Sequence, residues 1–178
     1  MGDWRSGSAA ALHADGHWFE SDIAHLHKYS KKSRMEKLYK LISDAQATLF
    51  MLFQKTWVYH WNVVGSEFYQ FHKVFGKQYE EMFEEIDRLT EHMRYLNIKP
   101  VSTLTRITEV SHILEANNSL DDMGMVRDLL ADNETLVSLL SKVAEEADEQ
   151  GSRGTTNLVE DLIESHGKNV WMLRSFLQ

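Results

Sequence analysis

The chain has 178 residues, of which 43% are hydrophobic and 26% are charged, a balance that fits one domain with a sizeable core. It contains no cysteine, which excludes disulfides and thiolate metal sites, so any metal must be held by His, Asp or Glu. The net charge is −8, and no stretch is long and apolar enough to span a membrane. These features predict a cytoplasmic protein without a membrane partner.

The charge is distributed unevenly along the chain. Residues 1–40 hold seven of the nineteen basic and five of the twenty-seven acidic residues, so twelve basic and twenty-two acidic residues remain in 41–178. An acidic body attracts cations and disfavours contact with nucleic acid. The mildly basic lead-in contains a run of five cations that could meet phosphates: Lys28, Lys31, Lys32, Arg34 and Lys37.

Residues 1–32 are predicted to form an N-terminal tail that is partly flexible, because no helical apolar period persists there. A short helix from Trp18 to His27 is the one element expected within it. Four histidines in this tail are expected to titrate near neutral pH rather than to hold a metal: His13, His17, His25 and His27. The folded domain is predicted to cover residues 33–178.

Two long helices are predicted in the first half of this domain. Apolar residues recur at three- and four-residue steps from Ser33 to Val64, and Gly65 ends that helix. Ser66 is the expected N-cap of the second helix, which should run to about Asn97.

The second half predicts a crossover and two more long helices. A short surface helix is expected within 102–115. A third long helix, capped by Asp121 or Asp122, covers about 122–149, and the fourth covers about 155–176. Four long amphipathic helices with one crossover resemble a ferritin-like bundle. The predicted fold is therefore all-α, with a short helix in the crossover between the second and third long helices.

Four side chains of metal-ligating type stand out on the first two helices. His60 lies at the end of the first helix and His72 lies one turn into the second. Asp87 and Glu91 are four residues apart on the second helix, so their carboxylates project from one face and can hold one cation. His72 and Asp87 are separated by ~22 Å along that helix, which excludes a common ion within one chain. A two-fold axis that packs two copies of the helix antiparallel is one arrangement that would unite them.

A longer pattern around these residues resembles the signature of the Dps family, the mini-ferritins that protect DNA during starvation. The resemblance covers roughly residues 34–177 and rests on these positions: Tyr59, His60, Trp61, Asn62, Val63, Gly65, Phe68, His72, Phe75, Tyr79, Asp87, Glu91 and the closing run from Trp171 to Arg174. It implies a ferroxidase, an oxidoreductase that binds Fe(II) between subunits of a hollow twelve-subunit shell. It also implies that peroxide or oxygen is the oxidant and that Fe(III) is stored, which protects against oxidative damage.

The resemblance also assigns the ligands. His60 and His72 would come from one subunit, Asp87 and Glu91 from its two-fold mate, and Trp61 would lie beside the metal. Gly76 departs from the pattern, because the family usually has an aspartate there, so one well-occupied iron position and a weak or altered second one are expected. Arg153 and Asn157 depart as well, since acidic residues are expected near the pore at the junction of the last two helices.

Two alternatives remain open at this point. The first is a nucleoid-associated, DNA-binding shell with weak catalysis. DNA is possible as a partner but is not favoured, because the body of the chain is acidic. The second is a shell that buffers zinc or iron at the same histidines without turnover. Glu109-x-x-His112 matches half of the pattern for a di-iron site within one chain, but no second copy follows, which argues against such a site.

Overall fold

The computed structural model describes the backbone of residues 16–178 and the side chains from residue 34 onward. These residues form five helices and no strand: α1 (Gly16–Asn62), α2 (Phe68–Tyr95), α3 (Leu104–Val110), α4 (Asp122–Glu149) and α5 (Arg153–Ser175). The predicted all-α bundle with a short crossover helix is confirmed. None of the helices in the described part of the chain combines the length and apolarity that a membrane crossing requires.

The first helix is longer than predicted. It begins at Gly16, so the short helix expected from Trp18 to His27 lies inside α1. The chain divides into two compact units, Met1–Glu36 and Lys37–Gln178, and the second unit contains the bundle described below. The side chains of the four tail histidines lie outside the described residues, and the flexible tail over 1–32 stays a prediction.

The connection between α1 and α2 is built by the backbone. Gly65 has a φ of +113°, a conformation that L side chains rarely adopt, so glycine allows the sharp turn. The predicted cap at Ser66 was wrong: α2 begins at Phe68, and Glu67 stands at the N-cap position without a side-chain cap hydrogen bond. The backbone N–H of Phe68 instead donates to the carbonyl oxygen of Gly65 at 3.2 Å. A carbonyl oxygen of the turn therefore accepts from an N–H group at the start of α2, which is the role predicted for a serine cap.

The crossover is fastened to α1 by side chains that the bundle buries. Gln46 makes two hydrogen bonds to the backbone of Val101, at 3.2 and 3.1 Å. The hydroxyl of Thr48 accepts from the backbone N–H of His112 at 3.0 Å. The crossover helix α3 is shorter than expected, and Thr103 caps it by accepting from the backbone N–H three residues later.

The last two long helices begin and end close to the predicted residues. Asp121 caps α4, because its carboxylate accepts from the backbone N–H of Gly124 at 2.7 Å. After α4 ends, Gly151 adopts a φ of +69°, the left-handed conformation typical of helix C-termini. The fourth long helix begins at Arg153, two residues earlier than predicted, and packs closely along α4.

A buried ion cluster joins α1 to α4. The ammonium of Lys55, whose side chain is 2% exposed, lies 2.5 Å from a carboxylate oxygen of Asp132 and 3.0 Å from one of Asp128. The hydroxyl of Tyr59 donates to Asp128 at 2.5 Å and accepts from the backbone N–H of Asn117 at 3.1 Å. Burial raises the pKa of the Tyr59 phenol, and the hydrogen bond to Asp128 adds to the effect. The phenol therefore stays protonated and works as a donor to α4.

A second polar group crosses the core between α2, α4 and α5. His166 is fully buried, and its Nδ1 lies 2.8 Å from the side-chain oxygen of Asn133. Its Nε2 lies 3.1 Å from a carboxylate oxygen of Glu85, close enough for an ion pair but not aligned for a hydrogen bond. Because Asn133 offers an oxygen, the histidine carries its proton on Nδ1. These polar contacts fix the register of three helices around an otherwise apolar core.

Candidate metal centre

His60 and His72 hold each other through their backbones. The Nδ1 atom of His60 lies 2.8 Å from the carbonyl oxygen of His72, and the Nδ1 atom of His72 lies 2.9 Å from the carbonyl oxygen of His60. The carbonyl of His60 is among the last four of α1, which have no partner further along the helix. His72 therefore caps the end of α1 while the return bond orients His60.

This reciprocal arrangement decides where the ring protons sit. A carbonyl oxygen only accepts, so the Nδ1 atom of each ring must carry the hydrogen. The Nε2 atom of each neutral ring is then left with its lone pair, which is the state that binds a metal ion. The rings of His60 and His72 stack at 3.8 Å between centroids with 22° between their planes. Two preoriented imidazole donors therefore lie side by side, an arrangement that fits Fe(II) or another divalent transition metal.

Aromatic side chains surround the histidine pair. The ring of Tyr79 meets His60 edge-on at 5.2 Å, and the ring of Phe68 lies 5.1 Å from that of His72. Trp61 is 57% exposed and packs against Trp57, with 4.6 Å between ring centroids. The contact of Tyr79 with His60 was not predicted from the sequence, although Tyr79 is one of the positions that carry the family resemblance. Its spacing of seven residues from His72 was the available signal, since it places both on one face of α2.

Gly76 lies beside the same histidine. A Cβ atom added at this position would lie 3.2 Å from Cε1 and 3.3 Å from Nδ1 of His60. These contacts are tighter than nine in ten that real Cβ atoms make. The departure from the family pattern at Gly76 thus coincides with a point where the backbone of α2 lies close against the imidazole of His60.

The two carboxylates lie elsewhere on the chain. Asp87 and Glu91 are exposed on α2, and the fifteen residues between His72 and Asp87 place them ~22 Å apart. Within the residues that the structure describes, no three His, Asp or Glu side chains converge to hold a metal ion. The structure therefore brings His60 and His72 together, and a single chain does not add Asp87 or Glu91 to them.

An open apolar groove separates the histidine pair from Asp87. Its cavity measures about 1580 Å³ and is bounded by α1, α2 and the crossover. Phe53, Trp57, Tyr79 and Phe83 line it as a contiguous aromatic cluster, and Asp87 is also among the lining residues. Phe83 is 60% exposed. An uncovered aromatic surface of this extent is typical of an interaction face.

His92 follows Glu91 but has a different environment. Its Nε2 lies 2.9 Å from the hydroxyl of Thr155, near the start of α5. Partial burial lowers the pKa of His92 below its ordinary value of 6.5. The ring is therefore neutral at physiological pH, and its Nε2 is already occupied by a protein hydrogen bond.

The half-motif at Glu109 and His112 does not form a metal site. Glu109 pairs with Arg106, and the Nε2 atom of His112 lies 3.3 Å from a carboxylate oxygen of Asp44. Asp44 is in turn bound by Lys40 at 2.5 Å. Glu109 and Asp44 thus both have a cationic partner.

The junction of α4 and α5 keeps the residues predicted for it on the surface. Asp148, Arg153 and Asn157 are all exposed. Arg153 is the first residue of α5, where the partial positive charge of the helix N-terminus adds to its own. This junction is consequently less attractive to cations than an all-acidic lining would be.

Comparison with known proteins places the whole bundle in one family. The ferritin-like domain model matches residues 39–178. The chain is 32% identical over 146 residues to DNA protection during starvation protein 2 of Bacillus anthracis, which covers 82% of this chain and 97% of the relative. The Dps structure from Thermosynechococcus elongatus superposes with a TM-score of 0.81 at 27% identity, covering 84% of this chain and 95% of that one.

A further solved structure connects the fold to a metal-binding superfamily. The Dps protein of Vibrio cholerae superposes with a TM-score of 0.78 at 28% identity, covering 82% of this chain and 92% of that one. It is described as a member of a broad superfamily of ferritin-like diiron-carboxylate proteins. With the ferritin-like match over residues 39–178 and the Dps relatives and structures alongside it, this chain belongs to the Dps family of ferritin-like proteins.

Proposed function

We propose that this protein oxidises Fe(II) at a centre shared by two copies of the chain and stores the Fe(III) inside a closed homo-oligomeric shell. The observation that carries the proposal is the reciprocal bonding of His60 and His72, which leaves both Nε2 atoms free. Two oriented imidazoles without a carboxylate are an incomplete site for a substrate that becomes trivalent. The missing oxygen ligands are proposed to come from Asp87 and Glu91 of the partner subunit.

The aromatic groove is the proposed contact surface for that second copy. Its lining on α2 runs from Lys77, one turn after His72, past Asp87 to Arg94. An isologous contact buries this face of both copies at once and places the histidines of each beside the carboxylates of the other. The apolar lining supplies the driving force, because covering it removes aromatic surface from water. A closed shell of twelve copies, as the family resemblance implies, would repeat this contact on each of its two-fold axes.

The charge of the proposed ligand set suits turnover of the substrate. Two neutral imidazoles and two carboxylates balance the charge of Fe(II). Two Fe(II) ions, each giving up one electron, reduce one hydrogen peroxide with two protons to two water molecules, and the same ligands then leave one positive charge on each Fe(III) unbalanced. These ligands therefore bind Fe(III) less tightly than a set with a third carboxylate would, so the Fe(III) can leave for the storage cavity. Zinc would bind the same donors without redox chemistry, so it is proposed as a competitor rather than as the natural cargo.

The oxidation assay tests this function directly. Wild-type protein given Fe(II) and peroxide is expected to form soluble ferric cores with a fast first phase. His60→Ala combined with Glu91→Ala is expected to slow that phase by more than about 100-fold, because changes that merely reorient ligands already cost 10–100-fold. Absorbance at the ferric band in stopped flow measures the rate.

The matched control changes the same residue types on another face. His112→Ala combined with Glu109→Ala removes a histidine and a glutamate that lie in the crossover, away from the proposed centre. This variant is expected to keep the wild-type rate. Unchanged kinetics in the His60 and Glu91 double variant would rule out the proposed ligand set.

Protection of DNA, which the name of the Bacillus anthracis relative mentions, is proposed to come from removing Fe(II) and peroxide rather than from coating DNA. The net charge of −8 opposes binding to phosphates. We expect no retardation of duplex DNA in a gel-shift titration, even at low salt and about pH 6, where histidines gain charge. A retarded band that fades as salt is raised would favour the DNA-binding shell instead.

A further inference from the structure

Gly76 occupies a position where glycine is costly for local structure. It lies in the middle of α2 and is buried, and glycine inside a helix is less stable than alanine. Its φ is helical, so no turn explains it. The explanation lies in its neighbour: a Cβ atom here would come within 3.2 Å of Cε1 and 3.3 Å of Nδ1 of His60.

The ring of His60 has little room to yield to such an atom. Its Nδ1 is tied to the carbonyl oxygen of His72 at 2.8 Å. Its face is stacked on the ring of His72 at 3.8 Å, and Tyr79 meets it edge-on at 5.2 Å. A shift of a few tenths of an ångström away from Gly76 would stretch the hydrogen bond or tilt the stack. Either movement redirects Nε2, which is joined to the contacted atom Cε1 by one bond.

We propose that Gly76 is a positioning residue of the metal centre, an inference that rests on the proposed function. Its missing side chain lets His60 lie directly against the backbone of α2, in register with His72. The centre thereby gains two fixed imidazole donors and gives up the carboxylate that the family pattern has at this position. The ligand set becomes one suited to a single divalent cation with mixed nitrogen and oxygen donors.

An acid placed at this position should therefore fail to improve the centre. In Gly76→Asp, the new Cβ atom displaces the ring of His60, and the added carboxylate does not compensate for the loss of this ligand's position. We expect this variant to bind one Co(II) ion per site, as the wild type does, but more weakly. Two tightly bound Co(II) ions in Gly76→Asp would overturn the proposal, because the position would then accept a ligand without disturbing His60.

The decisive comparison uses two glycine-to-alanine variants inside helices. Gly76→Ala adds only the Cβ atom that meets His60. Gly167→Ala adds the same atom within α5, where nothing lies within 4 Å of it. Both changes raise helix propensity, so both variants should fold. Metal binding is measured by titrating Co(II), which air does not oxidise in this assay, into the assembled protein. In a separate measurement without metal, long-range proton–nitrogen NMR spectra of the histidine rings report whether Nδ1 of His60 carries its hydrogen.

Gly76→Ala is expected to lower Co(II) affinity at least about tenfold and to change the ring signals of His60. Gly167→Ala is expected to match the wild type in both measurements. Unchanged ring signals or unchanged Co(II) affinity in Gly76→Ala would overturn the proposal. If the wild type itself binds no Co(II) or Fe(II), the proposed function fails, while the metal-free ring spectra still decide whether Gly76 positions His60.

Discussion

Shells that mix two inactive variants are expected to recover about one quarter of the wild-type rate of Fe(II) oxidation. The first variant lacks the imidazoles through His60→Ala and His72→Ala. The second lacks the carboxylates through Asp87→Asn and Glu91→Gln. Each variant alone has no complete centre. The recovery arises because a shared centre takes its two halves from different chains.

The expected fraction follows from two-fold symmetry. Equal amounts of the two variants, unfolded and reassembled together, give mixed pairs in about half of the two-fold contacts. In each mixed pair, one centre joins intact imidazoles to intact carboxylates and the other centre joins two defective halves. Half of the centres in half of the pairs are therefore complete. Stopped-flow oxidation of the mixture against the separately reassembled variants measures the recovery.

A centre contained within one chain makes the opposite prediction. Every chain in the mixture would then carry a defect, and mixing would restore nothing. Wild-type protein carried through the same reassembly controls for losses during refolding. Absence of recovery in a mixture that reassembles fully would contradict the shared centre, even if each variant alone is inactive.

Replacing Lys55 with Met should destabilise the fold strongly, by about 3–5 kcal/mol. The substitution keeps an unbranched side chain that is shorter by one atom, and it removes the ammonium that lies 2.5 Å from Asp132 and 3.0 Å from Asp128. The two carboxylates would remain between α1 and α4 without a cation, and removing one partner of a buried pair leaves an uncompensated charge. Urea unfolding followed by circular dichroism measures the loss of free energy.

The pH dependence of this variant has a definite sign. Burial raises the pKa of Asp132 above its ordinary value of 3.8, and Lys55 partly offsets that rise. Without Lys55 the pKa of Asp132 rises further, so the folded variant binds a proton that the unfolded chain has released. The stability of the variant therefore falls as pH rises through the raised pKa, and its deficit against the wild type shrinks as pH is lowered.

An exposed ion pair provides the matched control for Lys55→Met. Arg174 lies 2.6 Å from Glu134 and joins α5 to α4, but both side chains are about half exposed. Arg174→Met should therefore cost at most about 1 kcal/mol. A loss of similar size in both variants, or a deficit for Lys55→Met that does not change with pH, would contradict the role assigned to the buried cluster.

The helices could be predicted where side chains or glycine fix their ends locally. Asp121 caps α4 through its own carboxylate, and Gly65 turns the chain through its own backbone, so both are readable from sequence. Ser66 was the predicted cap, but the carbonyl oxygen of Gly65 accepts from the backbone N–H of Phe68 within the turn instead. The start of α1 at Gly16 was missed because the residues before Ser33 lack an apolar period.

The candidate site, too, was predictable in part from the sequence. His60, His72, Asp87 and Glu91 were selected by residue type and by their spacing in the family pattern, and both their role as ligands and their assembly from two chains stay predictions. The bond of each imidazole to the other residue's carbonyl was not predictable, because it depends on how closely two helix ends approach. The contact between Gly76 and His60 also depends on how closely the two helices approach each other. From the sequence alone, the glycine could be recognised only as the absence of the family's aspartate.

The acceptors that orient the two imidazoles are backbone atoms, so the arrangement needs no acceptor side chain, only the space that Gly76 leaves beside His60. No substitution can remove a carbonyl oxygen, so the orientation of the rings is inherited with the helix–turn–helix path from residue 60 to residue 72. In the proposed centre this segment would supply two nitrogen ligands. Any two helix ends joined by the same turn, with a glycine four residues after the second histidine, would present the same pair of donors to a metal supplied with oxygen ligands from elsewhere.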